Sequence, residues 1–106
     1  MEQKYINISF QEAKKIIDTT DCIILDVRTD EEFYTGHAEG TVNFDVYTIN
    51  AESAAELIPN KAVAILVYCK TGERAKLSAE ALSELGYKHI YNIGSLVEWP
   101  YGLSYD

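Results

Sequence analysis

Between Val63 and Gly86 the sequence changes its period once, and that change restricts the possible folds more than any other feature. Val63-Ala64-Ile65-Leu66-Val67-Tyr68-Cys69 is a short apolar run rich in β-branched residues, bounded by Pro59-Asn60 and by Gly72. Such a run reads as a buried strand. After the polar loop, Ala75, Leu77, Ala79, Ala81, Leu82 and Leu85 recur at helical spacing, and Gly86 follows as a left-handed C-cap. A buried strand feeding directly into an amphipathic helix is half of a parallel crossover unit. It places Cys69 at the carboxyl end of a strand, facing a helix N-terminus.

The rest of the chain repeats this alternation. Tyr5 to Ile8 reads as a strand, and Ser9-Phe10-Gln11-Glu12 as a capping box that launches a helix to about Asp18. Cys22 to Val27 is a second buried strand. Thr29 or Asp30 caps a short helix through Tyr34, which Gly36 stops. Thr41 to Phe44 is a third strand, and Asn50 to Ile58 an amphipathic helix whose apolar content is Ala51, Ala54, Ala55, Leu57 and Ile58. His89 to Asn92 forms the last strand, and Gly94 to Trp99 a helical turn ended by Pro100. Strands alternating with helices predict a three-layer α/β/α fold around a mostly parallel five-stranded sheet. The length of 106 residues fits a single domain, residues 1–106.

Composition excludes several function classes. A formal charge of −8, with only nine Lys and Arg, provides no basic stripe for nucleic acid. The eight tyrosines are scattered without a basic groove, so they read as core and rim residues. No apolar run reaches the length of a membrane span. The two cysteines, Cys22 and Cys69, make no disulfide framework, and the first residues lack a secretory apolar region; the expected location is a reducing cytoplasm. No metal-ligand cluster or cofactor motif is evident.

The chemistry concentrates at Cys69. At a strand's carboxyl edge in an open α/β sheet, ligands collect. The backbone amides of Lys70, Thr71, Gly72, Glu73 and Arg74 can curl around a point above the sulfur, aided by the positive end of the following helix. Such a ring favours an anion, and a thiolate over a thiol. Gly72 permits the turn. Arg74 offers a planar fork for an anion or supports the loop; its alternative is a surface pair with Glu73 or Glu80. Lys70 either steers an anionic donor or is solvated. Cys22, inside an apolar strand with no basic neighbour, reads as core filler, with a resolving-thiol role as the alternative.

The loop Cys69-Lys70-Thr71-Gly72-Glu73-Arg74 resembles the active-site loop of the rhodanese family of sulfurtransferases. Three further stretches agree in order and spacing: Ile24-Leu25-Asp26-Val27-Arg28 with Glu32-Phe33, Gly36-His37-Ala38-Glu39-Gly40-Thr41-Val42-Asn43, and Tyr91-Asn92-Ile93-Gly94 with Trp99 and Gly102. The resemblance covers residues 5 to 103. It implies the same three-layer fold and transfer of a sulfane sulfur from thiosulfate or a related donor to cyanide or a thiol, through a persulfide on Cys69 and without a cofactor. Asp26 and Arg28 belong to the family pattern as supports of the active-site region, and an architectural ion pair is the favoured reading. His37 is read as fixing a turn rather than carrying a proton, and Trp99 as packing. The chain departs from the pattern at Ala38-Glu39 and at Ser95, which stands where a second glycine is frequent.

Two rivals remain at this level. A cysteine-dependent phosphatase or arsenate reductase also uses a cysteine, an amide cradle and an arginine, but such loops resemble Cys, five residues, Arg. Here four residues separate Cys69 from Arg74. The other rival is a noncatalytic module that binds a sulfur-carrier protein.

Overall fold

The computed structural model describes residues 5–105. Five strands form one all-parallel sheet in the order β1-β6-β5-β2-β4, with β5 in the centre. They are β1 (Ile6–Asn7), β2 (Cys22–Asp26), β4 (Thr41–Asn43), β5 (Ala64–Cys69) and β6 (His89–Ser95). A two-stranded antiparallel ribbon joins β3 (His37–Ala38) to β7 (Leu103–Ser104). The helices are α1 (Phe10–Thr19), α2 (Asp30–Phe33), α3 (Ala51–Leu57) and α4 (Glu73–Glu84).

The side-chain period of two along β5 divides the core. Ile65, Val67 and Cys69 face one way, packing with Ala54 and Ile58 near α3 and with Ala75, Ala79 and Leu82 of α4. Leu66 and Tyr68 face the other way, with Ala13, Ile16 and Ile17 of α1 and with Trp99. The cysteine that ends β5 therefore directs its sulfur at α4 because of where it falls in an alternating strand.

Local chemistry sets the helix ends. Ser9 accepts from the Glu12 amide while Glu12 accepts from the Ser9 amide, closing the predicted capping box. Thr29 and Glu32 form a second one at α2. Gly86, at φ +95, lets Tyr87 N–H reach back to the Leu82 carbonyl at the end of α4.

The structure corrects three expectations. Gly94 to Trp99 does not make a helical turn: β6 continues through Gly94 and Ser95, which pair with Tyr68 and Cys69. An extra residue enters β6 at Ile93, where the register with β5 shifts, and Gly94 takes φ +91, a conformation suited to a bulge. Leu77 lies on the outer side of α4, 52 % exposed, so the buried stripe is narrower than the sequence suggests. Ala51 and Ala55 of α3 are likewise exposed, leaving Ala54 and Ile58 to anchor that helix. The β3–β7 ribbon has no counterpart in the sequence reading.

Candidate active site

Cys69 is fully buried. Its Sγ accepts two backbone hydrogen bonds, from Gly72 N–H at 2.9 Å and from Ala75 N–H at 3.3 Å. Gly72 is the N-cap of α4 and has no side chain with which to cap it. The sulfur takes over that task, filling one of the amide valences that a helix start leaves open. Ala75 lies one residue beyond the predicted loop, and sequence reasoning missed its part. Gly72 stands at φ +100, where a side-chain-bearing residue would be strained.

The loop is tied to the sheet from below. Leu96 N–H donates to the Cys69 carbonyl at 2.8 Å. The Ser95 hydroxyl donates to the Lys70 carbonyl and accepts from Val97 N–H at 3.1 Å. In the sequence Ser95 stands out only as a departure from a glycine pair. Its register opposite Cys69 makes it a strap on the loop.

Arg74 does not pair with Glu73 or Glu80. Its Nη1 and Nη2 donate to Oε1 and Oε2 of Glu32 at 2.6 and 2.9 Å, a bidentate fork across 42 residues of sequence. Glu32 is held further by Thr29, whose N–H and hydroxyl both donate to Oε1. The Arg74 guanidinium, more than these Thr29 contacts, keeps the carboxyl ionised down to about pH 2. Arg74 in turn is pushed above its ordinary value, first by Glu32 and more weakly by Cys69. The fork supports the loop by fastening its last residue to α2.

Asp26 and Arg28 are buried together at the end of β2. Arg28 Nε lies 2.9 Å from Asp26 Oδ1, and Arg28 Nη2 donates to the Gly36 carbonyl at 2.8 Å. The pair thereby ties the end of β2 to the backbone at Gly36. His37 Nδ1 lies 2.8 Å from the Phe33 carbonyl and its ring stacks on Phe33 at 3.7 Å, which fits the turn-fixing role. Trp99 packs edge-on against Phe10 and Tyr101, away from Cys69. Tyr68 passes through the second core layer, and its hydroxyl accepts from Ala38 N–H at 3.1 Å. Burial pushes that phenol up to about 12.

A cavity of about 260 Å³ opens beside the loop, lined by Arg28, Glu32, Lys70, Leu96, Val97 and Leu103 among others. Cys69 itself is buried and is not among the residues that line this cavity. Cys22 is remote from all of this. It pairs with Ala64 at the opening end of β5, five residues before Cys69, or about 16 Å by strand rise. Burial, and more weakly Asp21, push its thiol up. Among the described residues no three His, Cys, Asp or Glu side chains gather as a metal-ligand set. No helix of the described residues is long and apolar enough to cross a membrane.

The model of the rhodanese-like domain matches residues 9–100. The chain belongs to the rhodanese-like domain family. It is 35 % identical over 72 residues, 68 % of each chain, to the thiosulfate sulfurtransferase PspE of Escherichia coli (strain K12). It is also 30 % identical over 92 residues to the tRNA uridine(34) hydroxylase of Chlamydia pneumoniae, covering 82 % of this chain but only 28 % of that protein. Among solved structures, a rhodanese with anions from E. coli superposes with a TM-score of 0.73 at 29 % identity, over 80 % of this chain and 99 % of that one. The five-stranded α/β fold of this rhodanese-like domain is therefore the family's fold, as the sequence resemblance implied.

Proposed function

We propose that this rhodanese-like domain transfers a sulfane sulfur, with Cys69 as the nucleophile. The observation that carries the reading is the convergence of the Gly72 and Ala75 amides on Sγ at the start of α4. Two N–H donors and a helix N-terminus converge on the sulfur, the atom that attacks. The thiolate attacks the outer sulfur of a donor such as thiosulfate. A new S–S bond forms on Cys69, the donor's S–S bond breaks, and sulfite leaves with the electron pair. The remaining loop amides, from Lys70, Thr71, Glu73 and Arg74, are available for the terminal sulfur of the persulfide, as an oxyanion hole is for oxygen. An acceptor then attacks that sulfur, and Cys69 leaves as the thiolate. Neither displacement consumes an oxidant or reductant.

The sequence contains two cysteines, and Cys22 is at the far end of the sheet. The sulfur must therefore leave to an external acceptor, either cyanide or a thiol, which includes the thiol of a carrier protein. Asp26 and Arg28 serve by fixing the Gly36 turn that borders the entry cavity. The four-residue spacing between Cys69 and Arg74 and the engagement of that arginine by Glu32 both disfavour phosphoryl chemistry, which needs a free fork on a tetrahedral anion.

The complete cover over the sulfur favours a second reading, a noncatalytic module that only binds a partner. One assay separates the two. Thiosulfate with cyanide should yield thiocyanate and sulfite, and Cys69→Ser should abolish both. Equal background rates for the wild type and for Cys69→Ser, in folded protein and with an organic thiosulfonate as well as with thiosulfate, would exclude the catalytic reading.

A further inference from the structure

We propose that Glu32 is a specificity-determining residue that turns the site away from doubly charged donors such as thiosulfate and toward singly charged sulfane donors carrying an apolar group. This rests on the reading that Cys69 accepts sulfane sulfur, and it names the class of donor.

The charges around the entry cavity come in matched pairs. The Arg28 guanidinium faces Asp26, and the Arg74 guanidinium faces Glu32 through both of its terminal nitrogens. Glu32 is fixed in place by Thr29 as well as by Arg74, so it cannot swing aside for an incoming anion. It also lines the cavity itself. Among the described residues, Lys70 is the cation on that wall without a carboxylate partner. The entry therefore offers one uncompensated positive charge, which suits one negative charge on a donor. A second negative charge gains no further cation and meets the Glu32 carboxylate.

The cavity also has an apolar lining. Leu96, Val97 and Leu103 line it, and Val97 and Leu103 are 69 % and 45 % exposed. Thiosulfate has nothing to place there. An organic thiosulfonate or an organic persulfide carries one charge at the reacting end and a carbon group that can cover those side chains.

Thiosulfate and an organic thiosulfonate, such as benzenethiosulfonate, form a matched pair of probes. Both present an S–S bond to a sulfonyl sulfur, and they differ by one charge and by the organic group. The readout is the ratio of kcat/KM for thiosulfate to that for the thiosulfonate. Glu32→Gln retains an oxygen for the capping box while removing the charge. It should raise the ratio about fivefold, the size of one partly screened interaction between unit charges. Lys70→Gln, on the exposed rim, should lower the ratio by a similar factor, and added salt should shrink both shifts. Should Glu32→Gln fail to fold, the Lys70→Gln shift and its salt dependence decide the matter alone. A ratio unmoved in every folded variant, or moved in the same direction by both, would overturn the proposal. Failure of the wild type to take sulfur from either probe would instead overturn the role given to Cys69.

Discussion

Replacing Gly72 with alanine adds one methyl group at the point where the cysteine loop becomes helix α4. The new Cβ meets no obstacle, since its nearest neighbour is the Gly94 Cα at 4.0 Å. The cost is conformational: at φ +100 an L-residue is disfavoured by about 1–2 kcal/mol. That strain has two outlets. If the loop keeps its shape, the cost appears as lost stability, and Tm falls by about 5–15 °C for a domain of this size. If the backbone relaxes instead, the Gly72 N–H swings off the sulfur it now meets at 2.9 Å. Loss of such a donor raises the barrier by about 3 kcal/mol, or roughly a hundredfold in the rate of sulfur loading. Thermal melts and single-turnover loading of Cys69 read the two outlets together. Gly40→Ala supplies the control, because Gly40 has φ +80, open space around its Cβ and a place in the turn before β4. It should lose stability and keep the loading rate. A Gly72→Ala protein with wild-type Tm and wild-type loading would refute the reasoning.

Other perturbations have equally definite outcomes. Cys22→Ser should leave turnover within about twofold of wild type, because that thiol sits at the far end of the sheet; a collapse of activity at unchanged Tm would give Cys22 a role that its position does not allow. Glu32 has its folded value depressed from 4.5 to about 2, so its contribution to stability is fully present above about pH 4.5 and is lost as pH falls toward 2. Allowing for the partial exposure of both partners, that contribution is about 1–2 kcal/mol. Urea melts of Glu32→Gln across that window should show a flatter pH dependence than wild type, and identical slopes would contradict the assignment. Tyr68→Phe removes the acceptor of the Ala38 N–H inside the second core layer and should cost about 1–3 kcal/mol in urea melts. No change there would mean that another acceptor replaces it.

The strands that carry the fold were legible because they are apolar runs with turn residues at their ends, and the helices because Ser9, Thr29, Asn50 and Gly86 mark their limits. Cys69 was legible for the same local reason, standing where a strand's pattern gives way to a glycine loop. What escaped the sequence reading depends on distant partners. The β3–β7 ribbon joins two two-residue segments that have no periodicity of their own. Gly94 looked like the start of a turn, whereas pairing with β5 draws it into a bulged strand. The Arg74–Glu32 fork spans 42 residues, so nearby Glu73 and Glu80 were the natural partners to name. Ser95 could have been found by asking what its hydroxyl does next to a strand-end loop. Glu32 could have been found as the third residue after the Thr29 cap, which placed it at the same sheet edge as Cys69.

The most direct measurement of the central claim is intact-protein mass spectrometry after brief exposure to a sulfane donor, followed by peptide mapping. One added sulfur is expected, located on Cys69, removed by cyanide and absent from Cys69→Ser. An unmodified Cys69 in folded protein, or added sulfur on Cys22 instead, would contradict that claim.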